Sequence, residues 1–567
     1  MSTVSIGQHS LTADKKAFFC VSSKPIHVCL WLLLVLSLTV TVLMASVPPV
    51  SRDALTHHLA VPKLYLAHGG IYETPSMKFS YYPMNLDLLY LIPLYFKFDI
   101  GAKYIHYAFA LLTAWLLFRY LIKYTARTYA LLGAAFFLTL PVILKLSITA
   151  YVDLGLVFFS WACLYFLMQW HSGGLKGKDI ILSAICCGLA LGTKYNGIIL
   201  LLITAALIPL IYVRQYKERA MTENRKPGNR VSVKAMQWCL IYIAVSLTTF
   251  SPWMIRNFRW TGNPVYPLYD SLFNLKGSHQ ADDMSPFEKR KVVYRESFLQ
   301  TITIPLRIFF QGRDDNPKYF DGRLNPFLLL LPIAAFLRRN KRQRRLASQA
   351  RILSAFSFLF IIFVWLTRDM RIRYMAPAIP PLVVLTILSI RDIAESFDQT
   401  TLGRQAGVIA AACIAMVAIG YNVAYASRLF RHVDPLVYLS GKIDRDQYIS
   451  AFRAEYPVIR WANSHLPNRA KVLCMMVGNR SYYLDREFLL TDLLFRKYQN
   501  GPILANMLSK TISENGITHI LLGANTYSRW SRSVLKNGDR MVLDRYFQQH
   551  TRLLYSKAGY QVRAIIP

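Results

Sequence analysis

Along the chain, apolar runs long enough to cross a bilayer alternate with short polar breaks. Trp31 to Val47 is almost wholly apolar, and Pro48, Pro49 and the polar run Ser51-Arg52-Asp53 close it. A helix needs about 20 apolar residues to cross the hydrocarbon core. That pattern predicts spans near 26–47, 104–123, 128–148, 151–170, 179–194, 196–213, 235–254, 326–337, 352–367, 374–390 and 405–426. The stretch Met84–Phe98 contains Asn85, Asp87 and Pro93 and is too short for a full crossing. Charge decides its place. If it crossed, the basic clusters around Arg119–Arg127, Arg214–Arg230 and Arg338–Arg345 would all lie outside. If it lies along the surface, all three fall on the cytoplasmic side, as the positive-inside rule requires. It therefore reads as a juxtamembrane helix, with the N-terminus inside and residue 428 onward outside.

The polar breaks divide the rest. A first outer loop runs over 49–102, and its part Ala54–His68 spaces Leu55, Leu59, Pro62 and Leu66 on one helical face. A second long outer loop, 256–325, is too polar to cross and too long for an idle turn. Beyond 427 the apolar runs stop. Ile449–Leu466 and Ile503–Asn515 have helical spacing, Lys471–Val477 and Ile517–Leu522 read as strands, and Arg552–Ser556 with Tyr560–Ile566 as a final hairpin. The expected fold is mostly α: a polytopic membrane protein of about 11–13 spans over 1–427, with a C-terminal α/β periplasmic domain over 428–567.

Composition agrees. The 567 residues are 54% hydrophobic with mean hydropathy +0.28, beyond what soluble domains reach. The formal charge of +35 would suit a nucleic-acid binder, but it sits in short runs between spans, which makes it topogenic. The eight cysteines have no metal-site spacing and lie mostly in apolar spans, so neither a metal site nor a disulfide framework is expected. Lys15, Lys16 and Lys24 before the first span fit an uncleaved anchor.

Candidate chemistry gathers at the outer face. Asp53, beside Arg52, stands just outside the hydrocarbon, where burial and neighbouring charge set its protonation. The same loop carries His57, His58, Lys63, His68, Glu73 and Lys78 among Tyr65, Tyr72, Tyr81 and Tyr82. An ordinary interfacial loop with belt aromatics has that composition too. Asp153 and Lys194 sit at the ends of apolar spans, where an ionisable residue is a functional candidate by default; a helix-capping Asp and a snorkelling Lys are the plainer alternatives.

These pieces, in order, resemble the GT-C class of integral membrane glycosyltransferases. The features are an Asp after the first span, a second Asp about 100 residues later, a Lys in the turn Gly192-Thr193-Lys194, and an outer tail. The nearest look is to bacterial relatives of the lipid A aminoarabinose transferases and protein O-mannosyltransferases. Ser251-Pro252-Trp253-Met254-Ile255-Arg256-Asn257, continuing to Gly262–Pro267, and Arg373–Pro380 resemble recurring signatures of those relatives. The likeness covers roughly 25–425.

The resemblance implies an inverting transfer from a polyprenyl-phosphate sugar to an acceptor hydroxyl or amine, with Asp53 and Asp153 in the places of the class's two acidic residues. Deprotonating the acceptor needs a carboxylate at the water–lipid boundary, which Asp53 supplies. Asp153 would orient the acceptor or help to bind a divalent cation. Lys194, Arg256, Arg371 and Arg373 would hold donor phosphate, with Arg52, His57, His58, Tyr82 and Tyr374 as further substrate contacts. Glu73 and His279, with His57 and His58, are weak metal candidates, since some relatives use a metal. Ser80-Tyr81-Tyr82-Pro83 departs from the Lys-Pro-Pro-like run of aminoarabinose transferases, which argues against aminoarabinose and lipid A. A lipid-linked glycan flippase shares the basic loops and many spans but would carry charges mid-span. An oligosaccharide ligase stays open because sequence does not size the donor.

Overall fold

The computed structural model describes residues 23–222, 231–273, 284–337, 344–396, 400–491 and 500–566. Among them eight helices are long and apolar enough to cross a membrane. The expected span at 128–148 is a broken one: Arg127–Thr139 and Pro141–Ser147 meet at 62°. Pro141 starts the second piece, because its ring and missing N–H interrupt the helical ladder. The expected span at 179–194 is the helix Gly177–Thr193, of 17 residues, and the described part of the span at 326–337 is the helix Phe327–Leu337. Among the described residues, eight helices meet that length and composition, or nine with the broken pair.

The helices bury large side chains against one another, with Trp161 and Trp170 fully enclosed. The first helix, Ser23–Ala45, instead exposes Val28, Trp31, Leu32, Val35 and Leu36, as a lipid-facing helix does. Close approach requires small residues where helices cross. At Gly188 in Gly177–Thr193, an added Cβ would lie 2.4 Å from the Cβ of Thr249 on Val231–Thr261.

Met84–Phe98 forms the short helix Asn85–Tyr95. Ala54–His68 is two pieces, a π-helical turn Ala54–His58 and the α-helix Ala60–His68. A π-turn shifts the side-chain phase, and here it puts His57 and His58 side by side with rings 4.0 Å apart.

The last apolar helix, Thr401–Val433, leads into Arg445–Phe452 and Tyr456–His465, a pair where one helix was expected over 449–466. A five-stranded sheet follows in the order β2-β1-β3-β5-β4. β1 (Lys471–Met475) is parallel to β2 (Glu487–Leu490) and to β3 (His519–Leu522). β4 (Thr551–Lys557) and β5 (Tyr560–Ile565) form the terminal hairpin, and β5 runs antiparallel to β3. β2 was not expected; its four residues are too few for a period-2 signal.

This tail grips the first loop. The Tyr482 N–H donates to the Leu55 carbonyl at 3.1 Å. Lys63 Nζ donates to the carbonyls of Tyr482 at 2.8 Å and Leu484 at 3.0 Å, and pairs with Asp485 at 2.7 Å. Tyr483 donates to the Pro49 carbonyl, and Arg445 and Tyr482 both bond Asp99. The first loop, the turns at 149–153 and 192–197, part of 284–325 and the tail thus share one end of the bundle.

Candidate functional site

Two partly buried ion pairs stand side by side at that end. Arg373 Nη1 lies 2.7 Å from Asp53 Oδ2, and Lys194 Nζ lies 2.7 Å from Asp153 Oδ1. Tyr151 and Tyr374 tie them together. Arg373 sits over both rings, 5.2 and 5.4 Å from their centroids, and Lys194 lies 5.5 Å from that of Tyr374. The Asp53 N–H donates to the Tyr151 hydroxyl at 3.4 Å.

Local sequence explains each placement. Helix Gly177–Thr193 ends at Lys194, whose extended backbone turns the side chain out of the helix. Gly192 lets helix Asn85–Tyr95 come close: an added Cβ would lie 2.3 Å from Asn85 Nδ2. Asn85 in turn accepts the Trp253 indole N–H at 2.8 Å. Asp153 opens the helix Asp153–Ser172, where a carboxylate suits the dipole. His106 fixes that turn. Its Nδ1 donates to the Thr149 carbonyl at 2.8 Å, and its Nε2 accepts the Leu154 N–H at 2.9 Å.

A cavity of about 260 Å³ opens on these pairs. Arg52, Asp53, His57, His58, Tyr82, Lys194, Arg371, Arg373 and Tyr374 all line it. Asp153 lies behind Lys194 with its side chain 1% exposed, and its Oδ2 has no hydrogen-bond partner. Arg256 does not line the cavity. It is held between the indoles of Trp253 and Trp260 at 4.5 and 4.8 Å and donates to the Tyr82 carbonyl and Asn257 Oδ1. Glu73 is also elsewhere, accepting the Tyr81 hydroxyl at 2.6 Å. His279 lies outside the described residues.

The electrostatics separate the groups. Burial raises Asp53, but the Arg373 charge and hydrogen bond and the nearby imidazoles outweigh it, and its carboxyl sits well below the ordinary range. Arg373, not the adjacent Arg52, is the ion-pair partner. Burial pushes His57 and His58 down to about 3, so both are neutral near pH 7. Burial likewise lifts Asp87 to about 7, and it bonds His58 Nδ1 at 2.7 Å. A metal does not fit this donor set. Both acidic residues already face cations, and among the described residues no three of His, Cys, Asp and Glu are grouped for an ion.

Asp87, Arg368 and Asn196, which sequence reading did not assign to the site, also line the cavity, as do Gly478 and Asn479 from the tail, whose Gly478-Asn479-Arg480 is too short a sequence signal to use; Tyr151 and His106 support the adjoining turns. Asp87 had one available signal, an acid inside an otherwise apolar stretch.

Residues 75–259 match the family model for dolichyl-phosphate-mannose-protein mannosyltransferase. The whole architecture is similar to ArnT from Cupriavidus metallidurans in the apo state, with TM-score 0.55, 13% identity, and coverage of 94% of this chain and 97% of that one. The chain has the GT-C fold. ArnT bound to undecaprenyl phosphate matches at TM-score 0.55 and 12% identity, over 96% of this chain and 99% of that one. The archaeal oligosaccharyltransferase AglB from Archaeoglobus fulgidus, in complex with an inhibitory peptide and a dolichol-phosphate, matches at TM-score 0.50 and 12% identity, over 96% of this chain and 75% of that one. No curated protein matches in sequence.

Proposed function

We propose that the chain is an inverting glycosyltransferase that moves a sugar from a polyprenyl-phosphate carrier to a hydroxyl or amine of a lipid, glycan or protein acceptor. The observation that carries this reading is the adjacent pair of ion pairs, Arg373–Asp53 and Lys194–Asp153, at the mouth of one cavity. Each cation is a phosphate ligand held in reserve by a carboxylate. Relatives bound to undecaprenyl phosphate and dolichol-phosphate support the donor class.

The geometry suggests an order of events. A salt-bridged Asp53 with a depressed pKa is a poor base. When donor phosphate arrives, Arg373 and Lys194 turn to it, and Asp53 loses its counter-charge. Burial then dominates and raises its basicity. Asp53 next takes the acceptor proton, the acceptor oxygen or nitrogen attacks the anomeric carbon from the opposite face, and the bond from that carbon to the phosphate oxygen breaks. The electron pair leaves with the polyprenyl phosphate, whose new charge meets Arg373 and Lys194. Asp153 stays behind Lys194 and aims it.

The site would face the periplasm of a bacterial inner membrane, with 1–427 as the transferase unit and 428–567 as the soluble domain. A mass spectrum of lipid-linked sugars in a deletion strain tests the function. One unspent polyprenyl-phosphate sugar should accumulate and clear on complementation with the wild-type chain but not with Asp53→Asn. An unchanged lipid-linked sugar pool would overturn it.

A further inference from the structure

A second cavity lies apart from the one that holds Asp53. It encloses about 840 Å³ between residues 295–323 and the helix Thr401–Val433. Five cations line it: Arg307, which pairs with Glu296, and four others, Arg295, Arg313, Lys318 and Arg323. Among the described residues none of the four has an ion-pair partner. The acids nearby are already used. Glu296 is shared by Arg307 at 3.0 Å and Arg290 at 3.7 Å, while Asp314 and Asp315 each pair with Lys145 at 3.3 Å. These four cations share one concave space without a carboxylate partner, Arg313 with its guanidinium 4.5 Å over the Tyr319 ring, and a bound anion lowers their mutual repulsion.

The surroundings say what kind of anion. Short helices Phe298–Ile302 and Ile304–Arg307 wall the cavity and carry Phe298 at 78%, Leu299 at 72% and Leu306 at 53% exposure, with Phe310 at 54% in the turn that follows. Apolar side chains this exposed beside a polar pocket belong against acyl chains, with the pocket at headgroup depth. The pocket also adjoins the catalytic cavity. The Ile372 N–H donates to the Phe320 carbonyl at 2.8 Å, and Arg371 and Arg373 on either side of Ile372 line that other cavity.

The geometry points to a second anion site, one that takes the phosphate headgroup of a membrane lipid other than the sugar donor. Phosphate enters among Arg295, Arg313, Lys318 and Arg323, and the acyl chains lie along Phe298, Leu299, Leu306 and Phe310.

Binding to the detergent-purified full chain tests this without turnover. The probes are dioctanoyl phosphatidic acid, dioctanoyl phosphatidylcholine and inorganic phosphate. Phosphatidic acid should bind, phosphatidylcholine should not, and inorganic phosphate should fail to compete at matched concentration. Arg313→Gln combined with Arg323→Gln should weaken phosphatidic acid at least about tenfold per residue. Arg295→Gln, at an exposed position, should weaken it in the same direction and serves if the double variant does not fold. Lys194→Ala should leave it unchanged. Equal binding of inorganic phosphate would make this a site for free anions, and equal binding of phosphatidylcholine would make it mere apolar adsorption. Unaltered binding by the arginine variants, or loss of binding in Lys194→Ala, would put the ligand elsewhere. Each of these results overturns the proposal.

Discussion

Asp53→Asn separates the two roles assigned to one carboxylate. Asn keeps the shape and removes the charge. The proton-accepting role is then lost, and a positioned general base typically contributes about 10²–10⁴-fold in rate. The second effect runs the other way. In the wild type, donor phosphate must draw Arg373 from Asp53 across a 2.7 Å contact whose acid is a quarter exposed. A half-buried pair lies between the surface case, about 0.2–1 kcal/mol, and the fully buried case, about 3–5 kcal/mol. Removing the competitor should therefore leave Arg373 about 1–2 kcal/mol more available, so that donor phosphate binds about 5- to 30-fold tighter. Calorimetric titration of the purified variant with undecaprenyl phosphate reads the affinity, and turnover normalised to folded protein reads the rate. Near-wild-type turnover would end the general-base assignment. Weaker phosphate binding with intact folding would end the competition argument, even if turnover collapsed.

Acid should loosen the fold in a defined window. His57 and His58 sit at about 3 when folded against an ordinary 6.5, so below about 6.5 the unfolded chain takes up protons that the folded chain refuses, and stability falls until pH 3. Asp87, raised to about 7, works in the opposite sense, losing stability as pH rises from 3.8 through 7. Comparing His57→Gln with wild type reads the His57 part together with its coupling to Asp87: the variant's melting temperature should fall less between pH 6.5 and 4, and parallel curves would refute the assignment. Gly192→Ala drives a methyl against Asn85 and should cost about 1–3 kcal/mol of stability, read as a lower melting temperature; an unchanged one would mean Asn85 moves freely. Lys510→Cys, on an exposed tail helix, should react with an impermeant maleimide in intact spheroplasts; protection would place the tail inside.

What was readable in advance was whatever a short window could hold. Trp31–Val47 and the other apolar runs announce spans because about 20 residues of one kind suffice. Asp53, Lys194 and Arg373 stood out because charge beside a span is costly. The pairing among them was not readable, since Arg373 is more than 300 residues from Asp53 in sequence and Arg52 is adjacent. Arg256 looked equally basic at the same face, but two indoles close over it. The break at Pro141 and the π-turn at 54–58 were hidden because both are local faults within otherwise regular helical patterns. β2 was too short to declare itself and needs β1 beside it to exist.

The wall closed by Gly478 and Asn479 bears on the timing of the enzyme's birth. Every charged pair of the site comes from residues at or before Arg373, so these are complete once the membrane helices have been inserted. The last side of the chamber arrives only when β1 has paired and the chain beyond it presses onto Leu55 and Lys63. A chain halted during synthesis before residue 478 has both ion pairs but lacks this wall, so under the proposed reaction water would compete with the acceptor there.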